Sequence, residues 1–106
     1  MKLFRAMSEE EYLDFKKNGF ACTDRTISGK QLFKSRIAVE DFVFKSQQRN
    51  YNPPYKQILE IETDLDGLKA GSYDEQILDT HKAITIYEEH LSDFNKSYKF
   101  INCYGI

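Results

Sequence analysis

The sequence has no tryptophan and only two cysteines, two prolines and two histidines, and these shortages exclude several classes of protein. Cys22 and Cys103 lie far apart in sequence without metal-ligand spacing, so we expect reduced thiols in a cytoplasmic protein. His81 and His90 have no cysteine or carboxylate at zinc spacing, which argues against a metal site. No apolar run approaches the roughly 20 residues that span a bilayer, and the N-terminus lacks the apolar region of a signal peptide. No membrane partner is therefore predicted.

An excess of charge of one sign is also missing. The 15 Lys and Arg residues nearly balance the 17 Asp and Glu residues, which leaves a net charge of −2. A nucleic-acid partner is not predicted, because such proteins normally present a basic face. Aromatic residues are abundant, with 8 Phe and 7 Tyr in 106 residues. They can supply much of the core of one domain, 1–106.

Helix signals occur in the first half of the chain. Ser8 and Glu11 match the S-x-x-E capping box at the start of a helix predicted at 8–18. Its apolar face is predicted to consist of Tyr12, Leu13 and Phe15. A second helix is predicted at 36–48, where apolar residues four apart share one face: Ala38 with Phe42, and Val39 with Val43.

The remaining apolar segments have the patterns of strands. They lie at 2–7, 31–33, 57–63, 75–79, 82–89 and 98–106. A polar loop is predicted to precede Gly29, and a turn is predicted at 64–71. The adjacent Pro53 and Pro54 place 49–56 in a loop. Because helices come early and strands late, we predict an α+β fold with a mostly antiparallel sheet.

Three polar residues interrupt or border these apolar segments. Arg5 lies inside an apolar strand, where it either faces solvent from an edge strand or presents its guanidinium to a phosphate or ribose. Ser35 is predicted to be a helix N-cap, and a cap between a strand and a helix can also face a ligand. Glu75 follows a turn predicted at Gly71-Ser72 and is expected to open a strand. Its carboxylate is either solvated or held at the mouth of a cleft.

The order of these residues resembles the ADP-ribosyltransferase-like domain, the NAD-binding fold of bacterial ADP-ribosylating toxins and poly(ADP-ribose) polymerases. The family's first strand carries Arg or His before a small residue, as in Phe4-Arg5-Ala6, and a Glu-rich helix follows. Its second element has a glycine turn, a strand ending in an aromatic residue, and a helix near Ser and Ala, as at Gly29, Phe33, Ser35 and Ala38. Its third element presents an acidic residue at a strand start, as in "YDEQILD" at 73–79.

The resemblance implies a split, mostly antiparallel sheet with two early helices, and NAD as co-substrate without a metal. Glu75 would be the catalytic carboxylate, which stabilises the oxocarbenium-like ribose cation formed as nicotinamide leaves. Arg5 and Ser35 would contact the dinucleotide, and the small Ala6 would let nicotinamide approach the backbone. One aromatic side chain would stack on nicotinamide, the candidates being Phe42, Tyr51 and Tyr55.

These features support one leading function and leave two alternatives. The leading function is NAD-dependent ADP-ribosyl transfer, a glycosyltransferase-class reaction, to a macromolecular acceptor that we expect to be a protein in a bacterial or phage setting. The first alternative is a non-catalytic module on the same fold that binds NAD, ADP-ribose or a protein partner, as a phage or immunity-type inhibitor would. The second is an unrelated small α+β protein.

Overall fold

The computed structural model describes residues 1–21, 29–64, 73–78 and 80–106. Its elements are, in order, β1 (Lys2–Ser8), α1 (Glu9–Asn18), β2 (Gly29–Phe33), α2 (Arg36–Gln48), β3 (Tyr55–Thr63), β4 (Tyr73–Leu78), β5 (His81–Tyr87), a 3₁₀ turn (Glu88–His90), α3 (Leu91–Phe94) and β6 (Tyr98–Gly105). The predictions for Cys22, for the loop across 22–28 and for the turns across 65–72 lie outside the described residues. Within the described ranges, none of the helices is long and apolar enough to cross a membrane.

The strands form a six-stranded sheet in the order β4-β5-β2-β1-β3-β6, and each neighbouring pair is antiparallel. The predicted α+β class and antiparallel sheet are confirmed. Because β1 is a central strand, the edge-strand interpretation of Arg5 is wrong. Within the described residues, β1 and β2 are in register only where Phe4 meets Phe33, whereas β2 pairs with β5 along its whole length. The two strands therefore diverge beside Arg5.

Both faces of the sheet are covered, because strand side chains alternate between them. On the first face, α1 and α3 enclose a core of Leu3, Met7, Phe20, Leu32, Leu59, Ile61, Ile84, Ile86, Leu91 and Phe94. On the second face, α2 packs against strand residues through a cluster of Phe4, Ala6, Phe33, Ala38, Val39, Val43, Ile58 and Ala83. The predicted apolar face of α2 is thereby confirmed. Arg5 alternates with Leu3 and Met7, so it belongs to the first face.

Two serines begin the long helices as predicted. The Ser8 hydroxyl accepts a hydrogen bond from the Glu11 N–H at 3.2 Å, and the Ser35 hydroxyl accepts one from the Ala38 N–H at 3.1 Å. Each bond satisfies an amide that has no partner within its own helix. The cap at Ser8 fixes where α1 leaves β1, and hence where the Glu11 side chain lies relative to that strand.

The apolar face predicted for α1 is correct for Tyr12 and Phe15 and wrong for Leu13. Tyr12 and Phe15 are three residues apart and pack against the first-face core. Leu13 is 51% exposed. The reason is geometric: successive helical residues are rotated by about 100°, so Leu13 points away from the stripe that Tyr12 and Phe15 form.

Asn95 connects the end of α1 to the chain that follows α3. Its amide Oδ1 accepts a hydrogen bond from the Phe20 N–H at 2.8 Å, and its Nδ2 donates to the Phe20 carbonyl at 2.9 Å. Gly19 allows this approach, because a Cβ there would lie 2.9 Å from Asn95 Oδ1 and its φ of +71° disfavours other residues. Two segments 75 residues apart in the sequence are thus joined over the first face.

Candidate functional site

Arg5 lies where β1 and β2 diverge, and neighbouring groups hold its guanidinium in place. Its Nε and Nη2 donate to the two carboxylate oxygens of Glu11 at 2.6 and 2.9 Å. Its Nη1 donates to the Gln31 carbonyl of β2 at 2.7 Å. The two-point contact fixes the plane of the guanidinium. With its side chain only 13% exposed, Arg5 is a fixed, partly buried cation rather than a solvent-facing one.

Lys30 adds a second positive charge next to Arg5. It lies on β2 and shares the first face with Leu32, two residues further on. Its side chain is 9% exposed, and its Nζ lies 3.9 Å from Glu11 Oε2, beyond hydrogen-bonding length. A shallow crevice beside α1 is lined by Glu11, Asp14, Phe15, Gly19, Phe20, Ala21 and Lys30. We refer to Arg5, Glu11 and Lys30 together as the Arg5 cluster.

Glu75 lies inside an edge strand. The strand predicted at 75–79 was expected to begin at Glu75, but β4 begins at Tyr73, so the prediction that Glu75 opens a strand is wrong. The Glu75 side chain is 61% exposed, and its Oε1 lies 2.9 Å from Lys34 Nζ. Asp74 points to the other face and accepts a hydrogen bond from the Tyr87 hydroxyl. The two carboxylates are therefore placed on opposite faces of β4 by strand alternation.

The aspartate also affects the acidity of its phenol partner. The hydrogen bond to Asp74 raises the pKa of Tyr87, and burial adds to the effect. The hydrogen bond and burial both oppose ionisation of the phenol, which is the donor in this contact. This contact occupies Asp74 on the second face and leaves Glu75 as the carboxylate that β4 presents on the first face.

Ser35 and Ala6 lie beside the charged groups but have structural partners. The hydroxyl of Ser35 accepts from the first turn of α2, and the residue immediately follows Lys34 in the chain. Ala6 follows Arg5 but points to the second face, where it is 5% exposed in the core. A contact of either residue with a dinucleotide stays a prediction.

The candidate aromatic residues form one connected group on the second face. Phe42 packs against Phe33 and Tyr55 with ring centroids 5.0 and 5.4 Å apart. Tyr55 stacks on the exposed Tyr51 at 5.2 Å, with the planes 9° apart. Burial raises the pKa of Tyr55. The neighbouring Tyr51 raises it further, whereas the charge of Arg5 lowers it. The three candidate aromatic residues thus lie together on the second face, whereas the Arg5 cluster lies on the first.

The sheet register aligns Arg5 with Glu75 but does not bring them into contact. Leu32 pairs with Ile84, and Ile84 pairs with Glu75. Phe4 pairs with Phe33, so Arg5 and Leu32 are the next positions on the two strands, at the point where β1 and β2 diverge. All four lie on the first face, and three regular strand spacings of about 4.8 Å would put the outer backbones roughly 14 Å apart, a minimum because β1 and β2 diverge here. Leu32 and Ile84 between them are fully buried. The two charged groups thus lie at the two ends of a covered row.

The sequence prediction missed Glu11, Lys30 and Lys34 as parts of the site. Glu11 was assigned only to the helix cap, and neither lysine was singled out. A signal was present, because Lys30 and Lys34 lie two residues on either side of Leu32 and must share its face. Among the described residues, no group of three or more His, Cys, Asp and Glu side chains could hold a metal ion.

No family model matches the chain, and neither the curated proteins nor the solved structures contain a significant match. The resemblance to ADP-ribosyltransferase-like domains therefore depends on the residues of the three motifs. The geometry defines an antiparallel α+β fold with two charged sites beside β2. The Gln31 carbonyl of β2 accepts a hydrogen bond from Arg5, and Lys34, the residue after β2, contacts Glu75.

Proposed function

We propose that the protein is an NAD-dependent ADP-ribosyltransferase that transfers ADP-ribose to a macromolecular acceptor, expected to be a protein, and releases nicotinamide. One observation carries the proposal: Arg5 and Glu75 come from distant segments and lie on one face in one row of the sheet. A fixed guanidinium suits a phosphate or ribose. An exposed carboxylate suits a developing positive charge.

The proposed reaction gives each group a distinct role. Breaking the bond between nicotinamide and ribose produces an oxocarbenium-like cation, which the Glu75 carboxylate stabilises while it accepts hydrogen bonds from ribose hydroxyls. Lys34 holds this carboxylate at 2.9 Å, and a ligand phosphate that binds Lys34 would release it. On this proposal, the divergence of β1 and β2 beside Arg5 corresponds to the split in the family's sheet.

The change Glu75→Gln tests the catalytic role. It keeps the size of the side chain and removes the charge, so transfer and NAD hydrolysis should fall by about 10²–10³-fold. NAD affinity and the melting temperature should change little, since Glu75 is exposed at the sheet edge and its charge matters most in the transition state. Asp74→Asn is the matched control on the other face of β4 and should keep most of the activity. Full activity in Glu75→Gln would refute the role.

A non-catalytic module that binds NAD, ADP-ribose or a protein is the second candidate, and the Lys34–Glu75 contact favours it. An ammonium group 2.9 Å from the carboxylate offsets the negative charge that a ribose cation would need. This reading predicts that the wild-type protein gains thermal stability with NAD, by about 2.7 kcal/mol at 100 times its Kd, but never consumes it. NAD consumption by purified protein, lost in Glu75→Gln, would exclude this candidate.

A further inference from the structure

Lys30 is the only charged residue among those described that is buried, at 8% exposure. An ammonium group has three donors and no acceptor. Within the described part of the chain, its nearest counter-charge is Glu11 Oε2 at 3.9 Å, too far for a hydrogen bond. A buried cation without hydrogen bonds is costly for the folded state. An oxyanion at this position would offset that cost.

Among the residues that the structure describes, the charges around Lys30 leave a positive surplus. The Glu11 carboxylate already accepts two hydrogen bonds from Arg5, so two cations share one anion. The guanidinium of Arg5 has five N–H donors, of which Glu11 and the Gln31 carbonyl engage three. Asp14 also lines the crevice, but its carboxylate accepts an exposed hydrogen bond from Asn18 at 2.9 Å. Counting only partners in the described part of the chain, donors therefore remain on both cations of the Arg5 cluster.

We propose that Lys30 and Arg5 together bind one phosphate group of a ligand, and that Glu11 holds Arg5 in the required orientation. Lys30 acts as a point charge and Arg5 as a planar fork, which are complementary ways of binding phosphate oxygens. If the ligand is NAD, the group is one of its two phosphates, and this assignment rests on the proposed function. Free pyrophosphate presents the same chemistry, so the two sources can be separated by experiment.

The test compares Lys30→Met with Lys82→Met by calorimetric titration with pyrophosphate, NAD, ADP-ribose and adenosine. Met keeps most of the length of the buried side chain and removes its charge. Lys82 is exposed on the neighbouring β5, so Lys82→Met is a control with the same change in net charge. The wild-type protein should bind pyrophosphate and ADP-ribose. Lys30→Met should weaken both by about 10- to 100-fold, as expected for a lost charged hydrogen bond. Lys82→Met should stay within about twofold, and affinity for adenosine should be the same in all three proteins.

The outcomes separate this inference from the proposed function. Equal ADP-ribose affinity in Lys30→Met and wild type would overturn the role of Lys30 and leave the NAD proposal intact. Binding of pyrophosphate without binding of NAD or ADP-ribose would support the phosphate site and remove the proposed function. A wild-type protein that binds neither pyrophosphate nor ADP-ribose would overturn the site.

A second measurement covers the case in which Lys30→Met fails to fold. The Arg5 Nε–H resonance of the wild-type protein should shift on saturation with pyrophosphate, because the anion would bind the same guanidinium. An unchanged resonance at saturation would overturn the proposal. Lys30→Arg keeps the charge and should lose clearly less pyrophosphate affinity than Lys30→Met, within about threefold of wild type. A loss equal to that of Lys30→Met would count against a charge-based role.

Discussion

Replacing Glu11 with Gln would remove the carboxylate that Arg5 and Lys30 share in the described part of the chain. Gln keeps the shape but can accept only one of the two hydrogen bonds from Arg5, and its amide NH₂ would face an N–H donor. Breaking a buried pair costs about 3–5 kcal/mol, and one charged hydrogen bond about 1.5–3 kcal/mol. Because the Glu11 side chain is 25% exposed, water partly solvates the groups left without a partner. We therefore expect the free energy of unfolding to fall by about 2–3 kcal/mol.

Urea denaturation followed by circular dichroism would measure this loss, and the melting temperature should fall by about 10–20 °C. Glu10→Gln is the matched control, since it makes the same charge change in the same first turn of α1 at an exposed position. It should cost less than about 1 kcal/mol through the helix dipole alone. If the two variants lost equal stability, or Glu11→Gln lost none, the account of the Arg5 cluster would be refuted.

Two further predictions concern contacts away from this cluster. Asn95→Ala removes both hydrogen bonds to the backbone of Phe20 and should lower the unfolding free energy by about 2–4 kcal/mol in urea titrations. A loss below about 1 kcal/mol would contradict a stabilising role for these two hydrogen bonds. Hydrogen bonds from Lys45, and to a smaller extent from His81, hold the pKa of Asp41 below its usual 3.8. These contacts therefore stabilise the folded state above that pH, and the stabilisation disappears as the pH falls through the lower pKa of the folded state. Melting temperatures of wild type and Asp41→Asn should therefore differ at pH 7 and converge near pH 2, and a constant difference would contradict the linkage.

Local features of the fold could be predicted because the residues that cause them are neighbours in sequence. The serine caps, the ranges of α1 and α2 and the alternation along β5 each depend on a few adjacent side chains. The opposite orientation of Asp74 and Glu75 likewise follows from strand geometry alone. Such features do not depend on which elements later become neighbours in space.

Strand order could not be predicted because it depends on pairing between distant segments. Arg5 in an apolar run fits an edge strand that faces solvent, and it fits equally a central strand with a carboxylate above it. The carboxylate is Glu11, whose position is set by the turn of the chain from β1 into α1 at Ser8. The position of Glu75 within β4 was missed for the same reason, since β5 extends the pairing to Tyr73.

The sequence of β2 held a stronger signal than any of the motifs used to choose candidate residues. In "GKQLFK", Lys30, Leu32 and Lys34 share one face by alternation, and Leu32 is fully buried. Two lysines around a buried leucine require counter-charges on the elements that cover or flank that face, because a buried cation must be paired. The nearest carboxylates among the described residues are Glu11 from α1, which lies 3.9 Å from Lys30 and is shared with Arg5, and Glu75 from β4, which lies 2.9 Å from Lys34. Alternating lysines around a buried position therefore predict nearby carboxylates, although they leave open which ones. A charged cluster beside β2 could thus have been inferred from the sequence of β2 alone, without the motif in β1.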